Sequence, residues 1–456
     1  MADRRQLDFH GTRDDSFDAT WGQRTTWDDV QFFRAQPQWW FVIKRIVDVP
    51  AGLSLDQVLS ALAHLVAAHE ATRTHFAQHG ERLVQTVVAR GALEVEVIEA
   101  CGDRLEPELD TLKNASFSRP FDHGADLPLR LAVGLRDGVP AAVLMALSHV
   151  TVDVQSANVL AAELAAAFGA LADGMPTPPL RPAWQPLDLA RAEQGEKGRR
   201  WNTAALEHLG GQLSRIPPTM FGRAREDPAP PRYRAATLTS PTVGPALQQI
   251  AARCRLGGSA VLLGVTAALI RELTGTSTVT FGLLSANRVD PMLRHAVGNL
   301  SQAATATVEV ADGPFAQLAT AAGNAALGAH RNAHYDPQAR AALVAETESA
   351  RGVRFDLGCR FNDMFSSRAG AAAPALRRAE SVLTWHEGLD EDKLTFFVEF
   401  FNEQGTAGVK VLADCARIAP EEIPAFLFGL ESALVRLADG ELTAAEVGRC
   451  ARRAHP

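Results

Sequence analysis

Five cysteines in 456 residues, at positions 101, 254, 359, 415 and 450, leave no CxxC pair from which a zinc site or disulfide framework is built. That scarcity fits a reducing compartment. Positive charge is not in excess either. Lys and Arg number 45 against 53 Asp and Glu, a formal charge of −8 that argues against general affinity for nucleic acid. Long apolar runs are missing too. The longest, such as Ala260 to Ile270, fall well short of the roughly 20 residues that cross a bilayer, and the Ala-rich segment 157–171 is broken by Glu163. The start, Met-Ala-Asp-Arg-Arg-Gln, lacks the apolar stretch of a secretory signal. The expectation is a cytoplasmic protein with neither a nucleic-acid nor a membrane partner.

The chain is too long for one ordinary core, so more than one domain is expected. Residues 38–49 alternate aromatic and β-branched side chains and read as a strand. The spacing of Val58, Leu59, Leu62, Leu65 and Val66 predicts a core-facing helix over 55–69. Two apolar runs, 129–135 and 139–147, flank Arg136-Asp137-Gly138 and predict a hairpin. A helix is expected from Ser156, as cap, to about Leu171. Five prolines between Gly174 and Pro186 exclude helix and central strand, and read as a semi-rigid spacer. They divide the chain into an N-terminal lobe (1–175), a linker (176–187) and a C-terminal lobe (188–456). A second Pro-rich break lies at 227–231. The C-terminal half has its own α/β alternation: a strand at 233–238, helices at 243–254 and 258–273, a strand at 277–284, a strand pair at 394–401 and 408–412, and a helix at 421–438.

Three His-x-x-x-Asp pairs occur, at 10–14, 149–153 and 386–390. The pair at 149 is set apart by its context, because it follows directly on the buried apolar run 141–147. An imidazole emerging from such a strand is held in place, and its ordinary pKa lets it take a proton near neutral pH.

Further stretches surround Ser148-His149-Val-Thr-Val-Asp153-Val154 in a definite order. Gln23-Arg-Thr-Thr-Trp27 comes first. His69-Glu70-Ala-Thr-Arg73-Thr74-His-Phe76 is similar to the pattern RHExLRTxF. Arg119-Pro-Phe121-Asp122 with Pro128-Leu129-Arg130 is similar to "PFDL…PLxR". The run at 148–154 matches HHxxxDG, and Asn287-Arg288 with Val297-Gly298-Asn299-Leu300 resembles a later "xNR…VGxFxN" segment. His330 to Val344, with Asp336-Pro337, resembles one more. In that order they resemble the condensation domains of nonribosomal peptide synthetases, within the chloramphenicol-acetyltransferase-like superfamily. The resemblance covers nearly the whole chain and leaves no room for an adenylation or carrier domain, so it is to a free-standing condensation enzyme.

The resemblance implies an α/β fold of two chloramphenicol-acetyltransferase-like lobes in a V shape with a tunnel between them, and C-terminal-lobe loops crossing to the N-terminal lobe. It implies that a carrier protein delivers an acyl or aminoacyl thioester on its phosphopantetheine arm, with no cofactor of the chain's own. The acceptor would be a small-molecule alcohol or amine, as in free-standing relatives of natural-product pathways, enediyne biosynthesis among them. His149 matches the motif's functional histidine, the general base or positioning group for the acceptor. Asp153 matches a structural aspartate, with Arg288 the first choice of partner and Arg73 the second. Gly298 and Asn299 are expected to shape a loop across the tunnel.

Two residues depart from the pattern. Ser148 stands for the first histidine and Val154 for the glycine, where a β-branched side chain is expected to narrow the donor's space. Two other readings follow: an acyltransferase using an acyl-CoA donor, and a catalytically impaired docking module. An epimerising role lacks a second acidic motif. His330 and His334 have metal-ligand spacing on a helix, but no acid or thiol completes a site, so they read as helix surface and no metal is expected. Cys359 reads as a buried structural thiol, and Trp385-His386 with Asp390 as surface.

Overall fold

A computed structural model describes residues 3–453 except 36–40, 101–103, 115, 182, 223, 226–227, 366–379 and 404–405. The first residues of the strand expected at 38–49, Cys101, and residue 227 of the second proline-rich break therefore lie outside the described residues. The chain divides into two compact units. Unit 1 comprises residues up to Asn202 together with Ala286–Gln302 and His334–Pro337. Unit 2 comprises Thr203–Ser285, Ala303–Ala333 and the remainder from Gln338.

Along the chain come β1 (Asp3–His10), β2 (Asp15–Asp18), α1 (Trp21–Phe32), β3 (Val42–Asp48), α2 (Leu55–Ala68), β4 (Thr74–His79) and β5 (Arg82–Val87). Then follow β6 (Arg90–Ala100), α3 (Leu105–Asn114), β7 (Leu129–Arg136), β8 (Val139–Ser148), α4 (Val154–Ala172), α5 (Pro186–Gln194) and α6 (Glu196–Leu213). Unit 1 has a five-stranded sheet in the order β1-β6-β7-β8-β3 and a three-stranded sheet β2-β5-β4.

The β7–β8 hairpin forms where its two apolar runs and the turn between them predict. Asp137 and Gly138 both take positive φ (53° and 82°), the conformation of a tight two-residue turn. Because side chains alternate faces, the odd positions (Leu129, Leu131, Val133, Val143, Met145, Leu147) pack with α2 and α4. The even positions (Ala132, Ala142, Leu144, Ala146) pack with Leu105 and Leu109 of α3. The two strands are thus apolar on both faces and fix the position of everything at their ends. Helix α2 is capped by Ser54 in a box with Gln57 and buries the expected stripe of Val58, Leu62, Leu65 and Val66. Helix α4 is apolar over 19 residues, enough by length and composition for a membrane span. Its Leu160, Leu164 and Phe168 are instead buried in the core with α2.

Two expectations are corrected. The cap of α4 is Asp153, whose side chain accepts from the Ser156 N–H at 2.8 Å, and the helix starts at Val154 rather than after Ser156. Residues 176–187 do not separate the two units; the division falls inside α6, after Asn202. The prolines stiffen a strap that is pinned to unit 1. Trp184 N–H donates to Met292 O (3.0 Å), Glu70 N–H to Gln185 Oε1 (3.0 Å), and Pro186 opens α5, where Leu187 and Leu189 are buried.

Unit 2 contains β9 (Tyr233–Ser240), α7 (Val243–Cys254), α8 (Gly258–Thr274), β10 (Thr278–Ser285), β11 (Gln302–Glu309), α9 (Phe315–Arg331) and α10 (Pro337–Arg351). It closes with β12 (Cys359–Asp363), β13 (Val382–Trp385), β14 (Phe396–Glu403), β15 (Thr406–Asp414), α11 (Glu422–Asp439), α12 (Ala444–Gly448) and α13 (Cys450–Arg453). Its mixed seven-stranded sheet runs β11-β10-β12-β14-β15-β9-β13. Helices α7, α8 and α11 share its core; Val261 to Ile270 of α8 is continuously buried.

Candidate active site

Strand β8 delivers the motif. It lies between β7 and β3, and its last residue, Ser148, pairs with Val42. The chain then turns tightly. Thr151 and Val152 N–H both donate to Ser148 O (3.1 Å each), and His149 N–H donates to Phe41 O (2.8 Å). Asp153 closes the turn and caps α4, so the imidazole at 149 is carried between a buried strand and a capped helix.

Inside that turn His149 Nδ1 lies 2.9 Å from Val152 O. A carbonyl oxygen only accepts, so Nδ1 carries the proton. In the neutral ring Nε2 then holds a lone pair, and it has no hydrogen-bond partner among the described residues. The side chain is half-buried. This is the tautomer a base needs, fixed by a backbone bond to the other nitrogen.

Asp153 is fully buried and meets Arg288 in a two-pronged pair. Arg288 Nη1 donates to Oδ2 and Nη2 to Oδ1, both at 2.8 Å. Leu300 N–H donates to the same carboxylate at 3.1 Å. Burial alone would raise the Asp153 pKa; the Arg288 charge and hydrogen bonds, with those from Ser156 and Leu300, outweigh it and hold the carboxyl below its ordinary value. Ser156 Oγ accepts from Arg288 Nη2 (2.7 Å) and donates to Gly298 O (2.6 Å), tying the 286–302 segment to the start of α4.

Asn299 completes the frame. Its Nδ2 donates to His149 O (2.6 Å) and to Thr26 Oγ1 of α1 (2.7 Å). Helix α1 approaches this point closely because residue 22 is glycine: a Cβ there would lie 2.3 Å from Asn299 O. Glycine to alanine inside a helix ordinarily stabilises by up to about 1 kcal/mol. Gly22→Ala is expected to reverse that sign and cost about 1–3 kcal/mol by overpacking, measured by chemical denaturation. A neutral or stabilising result would show that the close approach is not real.

Of the other expected residues, Arg73 is buried but does not reach Asp153. Its Nη1 donates to Val88 O (2.7 Å) and Arg13 O (3.0 Å). Val154, 37% exposed, is the first residue of α4. It is absent from the positive-φ positions, so the freedom of the family's glycine is not required there. Ser148 Oγ lies 2.7 Å from His123 Nε2, a neighbour that the motif comparison passed over. His330 and His334 share no helix face, since α9 ends at Arg331. His334 instead stacks on Trp201 (4.4 Å) and contacts Glu193 at 2.8 Å, which corrects the surface reading. Among the described residues no group of three or more His, Cys, Asp or Glu could hold a metal ion. Cys359 is buried, and burial pushes its thiol well above the usual range. Trp385, His386 and Asp390 are exposed, with His386 contacting Thr237 Oγ1 at 2.7 Å.

The sequence profile of the Condensation domain family matches residues 23–363. The chain belongs to that family. Its match to the probable non-canonical nonribosomal peptide synthetase CymA of Salinispora arenicola is 27% identical over 266 residues, 55% of this chain and 3% of that protein. The condensation domain thus spans only a small fraction of the length of the curated relatives it matches. Among solved structures, the first condensation domain of the CDA synthetase superposes with a TM-score of 0.68 at 16% identity, covering 95% of this chain and 98% of the other. SgcC5 of Streptomyces globisporus, solved with (R)-(−)-1-(2-naphthyl)-1,2-ethanediol and sucrose, gives 0.66 at 16% identity, covering 88% and 93%. At those identities the likeness is one of fold.

Proposed function

We propose that this condensation domain transfers an acyl or aminoacyl group from a carrier-tethered thioester to a small-molecule alcohol or amine. The observation that carries the reading is the ring of His149, anchored through Nδ1 with Nε2 unpartnered among the described residues, at the position of the motif's functional histidine. The acceptor's O–H or N–H proton passes to Nε2 as its oxygen or nitrogen bonds to the thioester carbonyl carbon. The C–S bond then breaks, and the pantetheine sulfur leaves and takes up the proton. An alcohol depends on such a base more than a free amine does, so the arrangement favours ester formation. The diol bound in the SgcC5 structure is in keeping with an alcohol acceptor. The donor arm belongs to a carrier protein, the partner this reading requires.

The test offers one acyl group on an acyl carrier protein and on coenzyme A, each with an amine and a diol, and follows product by mass spectrometry. The carrier-bound donor is expected to give at least ~10-fold higher kcat/KM. Turnover with the coenzyme A thioester alone would overturn carrier dependence in favour of an acyl-CoA acyltransferase.

A further inference from the structure

Two of the places where the chain leaves the family patterns face each other. The pattern PFDL has leucine after its aspartate, and HHxxxDG has histidine first; this chain has His123 and Ser148 there. His123 Nε2 and Ser148 Oγ are 2.7 Å apart. A small hydroxyl has replaced an imidazole on β8, and an imidazole has replaced an aliphatic side chain on the approach to β7. The imidazole absent at 148 is met by one at 123, within hydrogen-bond distance of the serine hydroxyl.

The surroundings hold His123 firmly. Its ring lies edge-on to Trp27 (5.6 Å) and Phe76 (6.3 Å) and is tilted against Phe121 (6.2 Å). Its carbonyl accepts from Phe76 N–H at 2.8 Å. Burial pushes the imidazole down to about 4, despite the nearby Asp122 and Asp126 carboxylates, so the ring is neutral near pH 7. Ser148 is 1% exposed, which removes it as a nucleophile presented to substrate. It is the hub of the turn instead. Ser148 N–H donates to Pro128 O (2.9 Å), its carbonyl accepts from Thr151 and Val152 N–H, and its Oγ accepts from Val150 N–H (3.2 Å). That turn ends at Val152, whose carbonyl sets the His149 tautomer.

We infer that His123 is a positioning residue for His149, supplying from the β7 approach the imidazole that the family motif carries at position 148. It acts through Ser148, which it braces against the aromatic cage, and so through the 148–152 turn. The inference rests on the reading of His149 as base.

Three variants test it: His123→Leu, Ser148→His, and the two combined. His123→Leu is expected to lower kcat about 10-fold with the acceptor KM unchanged, the signature of a displaced but present base. Ser148→His alone sets a second imidazole against the buried His123 ring, leaving polar ring atoms without partners, and is expected to fold poorly. The double variant restores the family pair and should return to within ~3-fold of the parent. Nitrogen-15 shifts of His149 give a readout independent of turnover. The parent should show a protonated Nδ1, His123→Leu a mixture of tautomers, and the double variant the parent pattern again. A double variant no better than His123→Leu, or a His123→Leu protein with unchanged kcat and unchanged His149 shifts, would overturn the proposal. Full coupling activity in His149→Ala would instead sink the base reading, while the tautomer measurement still judges the link from His123 to His149.

Discussion

Replacing His149 by alanine is expected to lower coupling turnover by about 10²–10⁴-fold, the usual contribution of a positioned general base. The reason lies in the two ring nitrogens. Val152 O fixes the proton on Nδ1 at 2.9 Å, so the loss falls on Nε2, the atom that would receive the acceptor's proton. The deficit should depend on the nucleophile. An alcohol stays protonated at working pH and needs the base throughout. An amine is increasingly free as pH rises, so its deficit in the alanine variant should shrink toward alkaline pH. Single-turnover rates with a matched amino and hydroxy acceptor, measured across pH, separate these cases. The frame that holds residue 149 is backbone: Phe41 O, Asn299 Nδ2 to the carbonyl, and the 148–152 turn. Alanine leaves those bonds in place, so the loss should come without a comparable loss of stability. Equal rates for parent and variant with the alcohol would rule out histidine-based catalysis and leave a docking role for the fold.

Local patterns were legible and distant pairings were not. The β7–β8 hairpin follows from two apolar runs around Asp137-Gly138, and α2 from an apolar stripe behind a serine cap. Both depend on residues within a few positions of one another. The Asp153–Arg288 pair joins residues 135 apart, and no periodicity signals it; only likeness to a family narrowed the choice between Arg288 and Arg73. Asp153 and Ser156, three residues apart, are both good capping residues, and only hydrogen-bond geometry decides between them. The proline-rich strap reads as a boundary in sequence because prolines report stiffness and say nothing of what the segment packs against. His123 was passed over because it sits inside a motif that otherwise matches. Its signal was present: a departure from PFDL coinciding with another at Ser148.

Removing the Asp153 carboxylate is expected to cost the most stability of any single change at the site, about 3–5 kcal/mol for Asp153→Ala. The cause is the charge left behind. Arg288 has an 8% exposed side chain, and without its partner that guanidinium is buried uncompensated. The lost α4 cap contributes about 1 kcal/mol of the deficit. Changing Asp153→Leu together with Arg288→Met removes both charges and should recover much of the loss, since a buried ion pair replaced by apolar groups of similar volume is often near neutral. The same pair gives a pH signature. The folded carboxyl titrates below its ordinary value of about 3.9, so its contribution is complete above that value and is lost as pH falls through the lower folded value. The unfolding free energy of the parent should therefore fall toward that of Asp153→Asn across the acid range below about pH 4, and the two should differ most near neutrality. Urea denaturation of both proteins from neutral to acid pH measures the gap. A gap that stays constant, or an Asp153→Ala penalty under about 1 kcal/mol, would mean that the pair behaves as a surface salt bridge and that something else holds the 286–302 segment against His149.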